Sequence, residues 1–256
     1  MFAQKWKNIN ILIYLIYLLS PADKANAQAY RDDSVADLDR LFNVMGLADG
    51  LTNEFVDNKK YFCNQVTEFT YQSPKLISAN KEIAAYFEAT WKRRPQRASD
   101  GIECGGIAQT TKATMLIERG GKTRRIAVEI PHQSDDGGEF IIYKPISFSR
   151  NLDYILFRRT HVAAELEDEY IAFNFEKNRG IYVATDCNAP FQIYRGLSTS
   201  GKVYFTCHEL DSSGNSRDYL TSFNPNDQST KRWPDNTNFQ LYSYGSLEGN
   251  FILVEQ

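Results

Sequence analysis

The feature that most constrains this chain is a strand–turn–strand grammar running from Thr114 to the C-terminus. Ile146-Ser147-Phe148-Ser149 alternates apolar and polar residues, Arg150 to Asp153 carry a polar turn, and Tyr154-Ile155-Leu156-Phe157 is a short apolar run. Period-two alternation broken by turn residues marks an antiparallel hairpin with one buried face. Residues 115–118 and 125–130 flank the turn Gly120-Gly121 in the same way. Residues 140–143 form the next strand, and Pro145 after them requires a bend or an edge. Residues 170–175, 180–185, 191–194, 202–207, 218–223, 229–233, 239–244 and 251–254 continue the series between Asn, Asp, Gly and Pro turns. About a dozen short strands in series predict an antiparallel meander, propeller-like or folded as a sandwich.

Upstream the pattern is helical. Ser34 is placed to cap a helix with Asp37 at its N3 position. Val35, Leu38, Phe42 and Met45 recur at helical spacing before Gly46. Phe55, Phe62, Val66 and Phe69 predict a second helix ended by Pro74, in preference to a strand over residues 61–71. Ile83, Tyr86, Phe87 and Trp91, with the helix-favouring Ala84, Ala85 and Ala89, predict a third that starts at Ser78 or Asn80 and stops at Pro95. Residues 98–106, rich in glycine, read as a linker. The fold class expected is α+β, with a short helical segment over residues 28–98 packed on an antiparallel β domain over residues 99–256.

Residues 1–27 read as a signal peptide. Lys5 and Lys7 precede an apolar run at residues 11–19, and Ala25-Asn26-Ala27 fits the small-x-small cleavage rule. A helix of that run reaches about 13 Å, short of a hydrocarbon core of about 30 Å, so no stable membrane span is expected after cleavage. The expected location is periplasmic or secreted. Cleavage would leave 26 basic and 31 acidic residues, a net charge of −5. That balance argues against nucleic acid as a partner, which demands a cationic footprint. In an oxidising compartment Cys63, Cys104, Cys187 and Cys207 read as disulfides. Four cysteines allow three pairings; strand neighbours favour Cys187–Cys207, which leaves Cys63–Cys104. The spacings contain no C-x₂₋₄-C, so no metal site is expected.

A weak repeat lies inside the meander. Phe148, Tyr194 and Tyr242 sit at comparable places, each opening a strand pair near Phe157, Phe205 and Phe251. A period of about 40 to 50 residues with four strands suggests propeller blades. Ile146-Ser147-Phe148-Ser149 followed by Tyr154-Ile155-Leu156-Phe157 resembles the blade motif of TolB-type β-propellers. Tyr170-Ile171-Ala172-Phe173 and Gly180-Ile181-Tyr182-Val183 look like the outer strands of that blade. Arg150-Asn151-Leu152 stand where the motif has Pro-Asp-Gly. The resemblance spans residues 145–256 and implies blade-like sheets.

The candidate contact residues are charged runs. Glu165, Glu167, Asp168 and Glu169 form an acidic stretch between two strands. Such a stretch guards a sheet edge against pairing, or meets a basic partner. Arg93 and Arg94, with Lys92 and Arg97, complement the dipole of the third expected helix, or meet an anionic partner such as a lipid head group or glycan. The loop at residues 132–138 holds a base, a hydroxyl and two carboxylates, but a Ser–His–Asp unit must converge on one geometry, and this loop reads as a solvated turn. Residues 211–218 lack the order of a calcium loop. Fifteen Tyr and sixteen Phe mostly fill core, and a minority on one rim would form a stacking surface for sugar or peptide. The expected function is non-catalytic binding outside the cytoplasm, with a protein or glycan ligand and no cofactor. One alternative is a hydrolase of glycan or cell-wall material, drawing two carboxylates from Glu169, Asp186 and Glu209 across a cleft. The other is an inhibitor or immunity protein presenting Glu165 to Glu169.

Overall fold

The computed structural model describes residues 34–41, 44, 68–97, 104–129, 140–162, 166–185, 187, 192–210, 216–234, 237 and 239–254. They form one short helix and three antiparallel sheets. The helix, α1, covers residues 34–41. The first sheet has seven strands: β1 (Glu68–Gln72), β2 (Lys75–Ile77), β3 (Ile83–Arg97), β4 (Cys104–Arg119), β5 (Lys122–Ala127), β14 (Ser246–Glu248) and β15 (Ile252–Val254). The middle sheet is β6 (Phe140–Phe148), β7 (Tyr154–Val162), β8 (Leu166–Asn174) and β9 (Arg179–Tyr182), in sequence order. The outer sheet is β10 (Gln192–Leu197), β11 (Val203–Leu210), β12 (Ser216–Asn224) and β13 (Ser229–Trp233), also in sequence order. Among the described residues the sheets do not close into a ring.

The third expected helix is β3. Ile83, Ala85, Phe87, Ala89 and Trp91 are all buried and point one way at period two. Alanine favours a helix locally, but here the small Ala85 and Ala89 make room beside Phe87 and Trp91, and tertiary pairing overrides propensity. The strand pairs with β4 along its whole length, with one bulge between Thr90 and Trp91, so Pro95 lies opposite Gly106 inside a strand and ends no helix. The second expected helix falls largely outside the described residues, but its end is β1, the strand that was its rival. The linker expected over residues 98–106 gives way at Cys104 to β4.

Two cores hold the layers together. Phe87, Trp91 and Met115 of the first sheet pack with Ile155, Phe157 and Ile171 of the middle one. Leu156, Tyr170 and Ala172, on the opposite face of the middle sheet, pack with Val203, Phe205 and Phe223 of the outer one. The middle sheet is therefore covered on both sides, which explains why β7 opens on a continuous apolar run, residues 154–157, rather than an alternation. The free edge of β6 is satisfied by side chains. Tyr71 Oη donates to the Ile141 carbonyl (3.0 Å) and accepts from Tyr143 N (2.8 Å), Trp91 Nε1 donates to Ile141 O (3.3 Å), and Thr110 Oγ1 accepts from Ile141 N (2.8 Å). An edge strand otherwise invites pairing with other chains.

The middle and outer sheets are two copies of one unit. Each first strand carries a bulge, between Pro145 and Ser147 in β6 and between Tyr194 and Gly196 in β10. Each first hairpin turns through a left-handed residue, Leu152 (φ 60°) and Gly201 (φ 78°). A serine opens both turns: Ser149 Oγ accepts from Asp153 N, and Ser198 Oγ accepts from Lys202 N. Phe148 thus corresponds to Leu197, and Pro145 to Tyr194, which corrects the repeat register in which Phe148 matched Tyr194. The bulge explains the slip. Residues 239–244 are not a meander strand either. They cross between the units, where Tyr244 bridges Phe148 and Tyr242 bridges Leu197. A side chain at Gly196 (φ 137°) would meet Tyr242 O at 3.1 Å, so this crossing requires glycine. The chain then returns to the first sheet, where β14 pairs with β2 and β15 with β1.

Candidate functional site

The acidic stretch of β8 lies against basic residues of β7. Register places Glu169 opposite Arg159, Asp168 opposite Thr160 and Glu167 opposite His161. On the next strand over, Lys144 lies opposite Arg158 and Tyr143 opposite Arg159. Because side chains alternate, two charged groups form on opposite faces of the middle sheet.

On one face α1 docks through Asp37. Its carboxylate accepts from Lys144 Nζ at 2.8 and 2.9 Å and from Arg158 Nη2, and the side chains of Asp37 and Arg158 are 1% and 4% exposed. Asp168 completes the group. It accepts from Ser34 Oγ (2.6 Å) and Thr160 Oγ1, with Arg158 Nη1 at 3.6 Å. Two carboxylates thus face the cations Lys144 and Arg158, with the exposed Arg40 also donating to Asp37 (3.2 Å), and the group tolerates burial only because every charge has a partner. Ser34 and Asp37, expected to cap their own helix, spend their side chains on tying it to the sheet.

On the opposite face Glu169 accepts from Arg159 Nε, from His161 Nε2 (2.7 Å) and from Tyr182 Oη (2.9 Å). Burial pushes the Glu169 carboxyl up, but the hydrogen bonds and charges of His161 and Arg159 outweigh it and bring it down to about 2. Burial, and then the charge of Glu169, push Tyr182 up to about 12. Burial also drives the Tyr143 hydroxyl well above its ordinary range. At neutral pH Glu169 is a firmly held carboxylate, a poor proton donor.

Of the expected contact residues, Asp168 and Glu169 are therefore engaged inside the molecule, and Glu167 is exposed. Glu165 lies outside the described residues, as do the loop at 132–138, residues 211–215 and Asp186. Arg93 and Arg94 sit on β3 opposite Ala108 and Ile107, not on a helix end. Glu209 lies on β11 opposite Arg217. Cys187 and Cys207 form a disulfide, with Cα atoms 5.4 Å apart. Cys63 is outside the described residues. Sequence reading missed the group that Asp168 joins, in which Arg158 reaches both Asp168 and Asp37 and Lys144 reaches Asp37. The available signal was Lys144 within the largely apolar β6 and Arg158 directly after the apolar residues 154–157 of β7.

A second group lies on the outer sheet, on the face turned away from the core. The Phe239 ring sits 4.7 Å from Tyr204 and 4.8 Å from Trp233, edge-on to the latter at 74°. Trp233 Nε1 donates to Ser222 Oγ (2.9 Å), which fixes the indole, and Lys231 Nζ lies 3.8 Å above its ring. Tyr204 is buried, Trp233 and Phe239 are half-buried and Lys231 is exposed. Oriented rings beside an exposed cation form a stacking ledge with a polar rim.

Comparison with protein-family models and with curated proteins found no match to this chain.

Proposed function

We propose that this chain is an exported, non-catalytic binding protein whose ligand, a glycan or a protein segment outside the cytoplasm, stacks on the outer sheet. The ledge of Tyr204, Phe239, Trp233 and Lys231 carries this reading. The Trp233 and Phe239 rings are held edge-on to one another beside the buried Tyr204 and are partly open to solvent, as a planar sugar face or an apolar side chain requires. The Cys187–Cys207 disulfide fits an oxidising compartment. Among the described residues no helix is long and apolar enough to cross a membrane. Two four-stranded units in sequence order support the resemblance to TolB-type blades. The hydrolase reading loses Glu169 as a proton donor, since that carboxyl is held at about 2. The inhibitor reading loses Asp168 and Glu169 as free acids, since both serve internal partners.

Tryptophan fluorescence tests the proposal. Trp91 is buried in the core and Trp6 lies in the expected signal peptide, so the mature protein reports through Trp233. Titration with soluble cell-wall glycan fragments and with extended peptides should give a saturable change with one of the two. Read by titration calorimetry, since the variant lacks the fluorescent reporter, Trp233→Ala should weaken that binding about tenfold, the loss of one good aromatic contact. Saturable binding that survives Trp233→Ala and Phe239→Ala unchanged would remove the ledge from the account.

A further inference from the structure

The tight turns of the three sheets gather at one end of the molecule, and two of them form a cationic surface. The β4–β5 turn presents Arg119, Lys122 and Arg124, and the β8–β9 turn presents Lys177 and Arg179, all exposed. Arg124 Nη2 donates to Asn178 Oδ1 at 2.7 Å, which locks the two turns side by side although they belong to different sheets. Among the described residues none of these five cations lies in an ion pair, while Lys75, Lys92 and Arg125 of the same first sheet all do. The carboxylate on these turns is Glu176, and Glu82 on the adjoining β2–β3 turn is offset by its neighbour Lys81. A concentration of unpaired positive charge in a chain of net charge −3 is a local feature, not a consequence of composition.

We infer that this end of the molecule docks on an anionic phospholipid surface. The cations are spread over the turns of two hairpins from different sheets. Nothing lies within 4 Å of where side chains at Gly120 and Gly121 would project, so the β4–β5 tip stands in open space. A polymer strand is tracked by a groove, whereas cations spread over projecting tips suit a broad charged plane. Contact is electrostatic, with each Lys or Arg adding a similar increment near the surface. The inference does not rest on the aromatic ledge, which lies on a different surface and uses different residues.

Co-sedimentation of the full chain with vesicles tests it. Binding is expected to vesicles of phosphatidylcholine with phosphatidylglycerol, not to phosphatidylcholine alone, and it should vanish at about 1 M salt, where the screening length falls to about 3 Å. Neutralising two cations in Lys122→Gln/Lys177→Gln should weaken binding about 25-fold, at about fivefold each. Reversing three in Lys122→Glu/Arg124→Glu/Lys177→Glu should weaken it by more than about 100-fold. Lys112→Glu, an exposed cation elsewhere, should leave it unchanged. The inference falls if anionic vesicles bind no better than neutral ones, or if the two-site variant binds like the parent. Capture by dextran sulfate without vesicle binding would likewise overturn it, in favour of a soluble polyanion.

Discussion

Arg158 in β7 and Cys207 in β11 occupy the same place in the two repeated units, each opposite a buried tyrosine on the next strand, Tyr170 and Tyr219. What holds them differs. In the middle unit a buried cation meets Asp37 and Asp168 and fastens α1 to the sheet. In the outer unit a covalent bond to Cys187 fastens the segment before β10. Neighbourhood explains the difference. The middle sheet has another sheet on each side, and a helix arrives with carboxylates to receive the cation. The outer sheet has a core on one face only, and a disulfide strengthens it without further burial. One backbone unit thus accepts either a costly polar network or a cross-link, according to what packs against it.

Breaking the network should have the largest effect. Asp37→Ala leaves Lys144 and Arg158 buried without their main acceptor, a cost of about 3–5 kcal/mol, read as a fall in the urea midpoint. The network is inessential for stability as such if Asp37→Leu combined with Lys144→Met, Arg158→Met and Asp168→Asn regains most of that loss.

Removing the cross-link comes next. Its partners are separated by 20 residues, and Cys187→Ser/Cys207→Ser should cost about 3 kcal/mol in the chain-entropy account. Reductant should destabilise the parent by that much more than it does the variant, because a Cys63–Cys104 bridge would be lost from both. A double variant as stable as the parent would mean that core packing alone holds the outer unit.

Acid sharpens the contrast, because among the described residues the large downward shift of a carboxyl falls on Glu169 of the middle unit. The Glu169 carboxyl lies at about 2 in the folded protein against an ordinary value of 4.5. A lowered value means that the folded state binds its proton less readily than the unfolded chain does. The stabilisation is therefore complete above about 4.5 and is lost as pH falls toward about 2. The stability difference between the parent and Glu169→Gln should stay constant above that window and shrink through it. A difference independent of pH down to 2 would show that the carboxylate charge is not what Arg159 and His161 hold.

The smallest effect tests the shared turn. Gly201→Ala places a side chain at φ 78° and should cost about 1 kcal/mol. Its counterpart Leu152 already bears that strain, at φ 60°. Leu152 packs against the first core, which compensates for it. If Gly201→Ala proves neutral in thermal unfolding, the two turns are not equivalent.

Sequence alone determined the hairpins. Gly120-Gly121, Ser149 to Asp153 and Asn224 to Gln228 are turns by local backbone chemistry, and period two between them needs no tertiary partner to be legible. It also marked Pro145 as an irregularity and Cys187 with Cys207 as neighbours, both because adjacent strands place their residues by short-range register. Tertiary structure decided whatever depends on distant chain. Residues 83–97 carry both a helical propensity and a period-two face, and only pairing with β4 and packing on the middle sheet selects the second. Arg158 and Asp37 are 121 positions apart, so no local pattern announces the bond that makes an arginine acceptable inside β7. The last residues read as more meander, yet β15 joins β1, because an apolar strand pairs with whichever free edge the fold presents. Local chemistry writes the turns, whereas the choice of partner among many compatible strands and charges is a property of the whole packed chain.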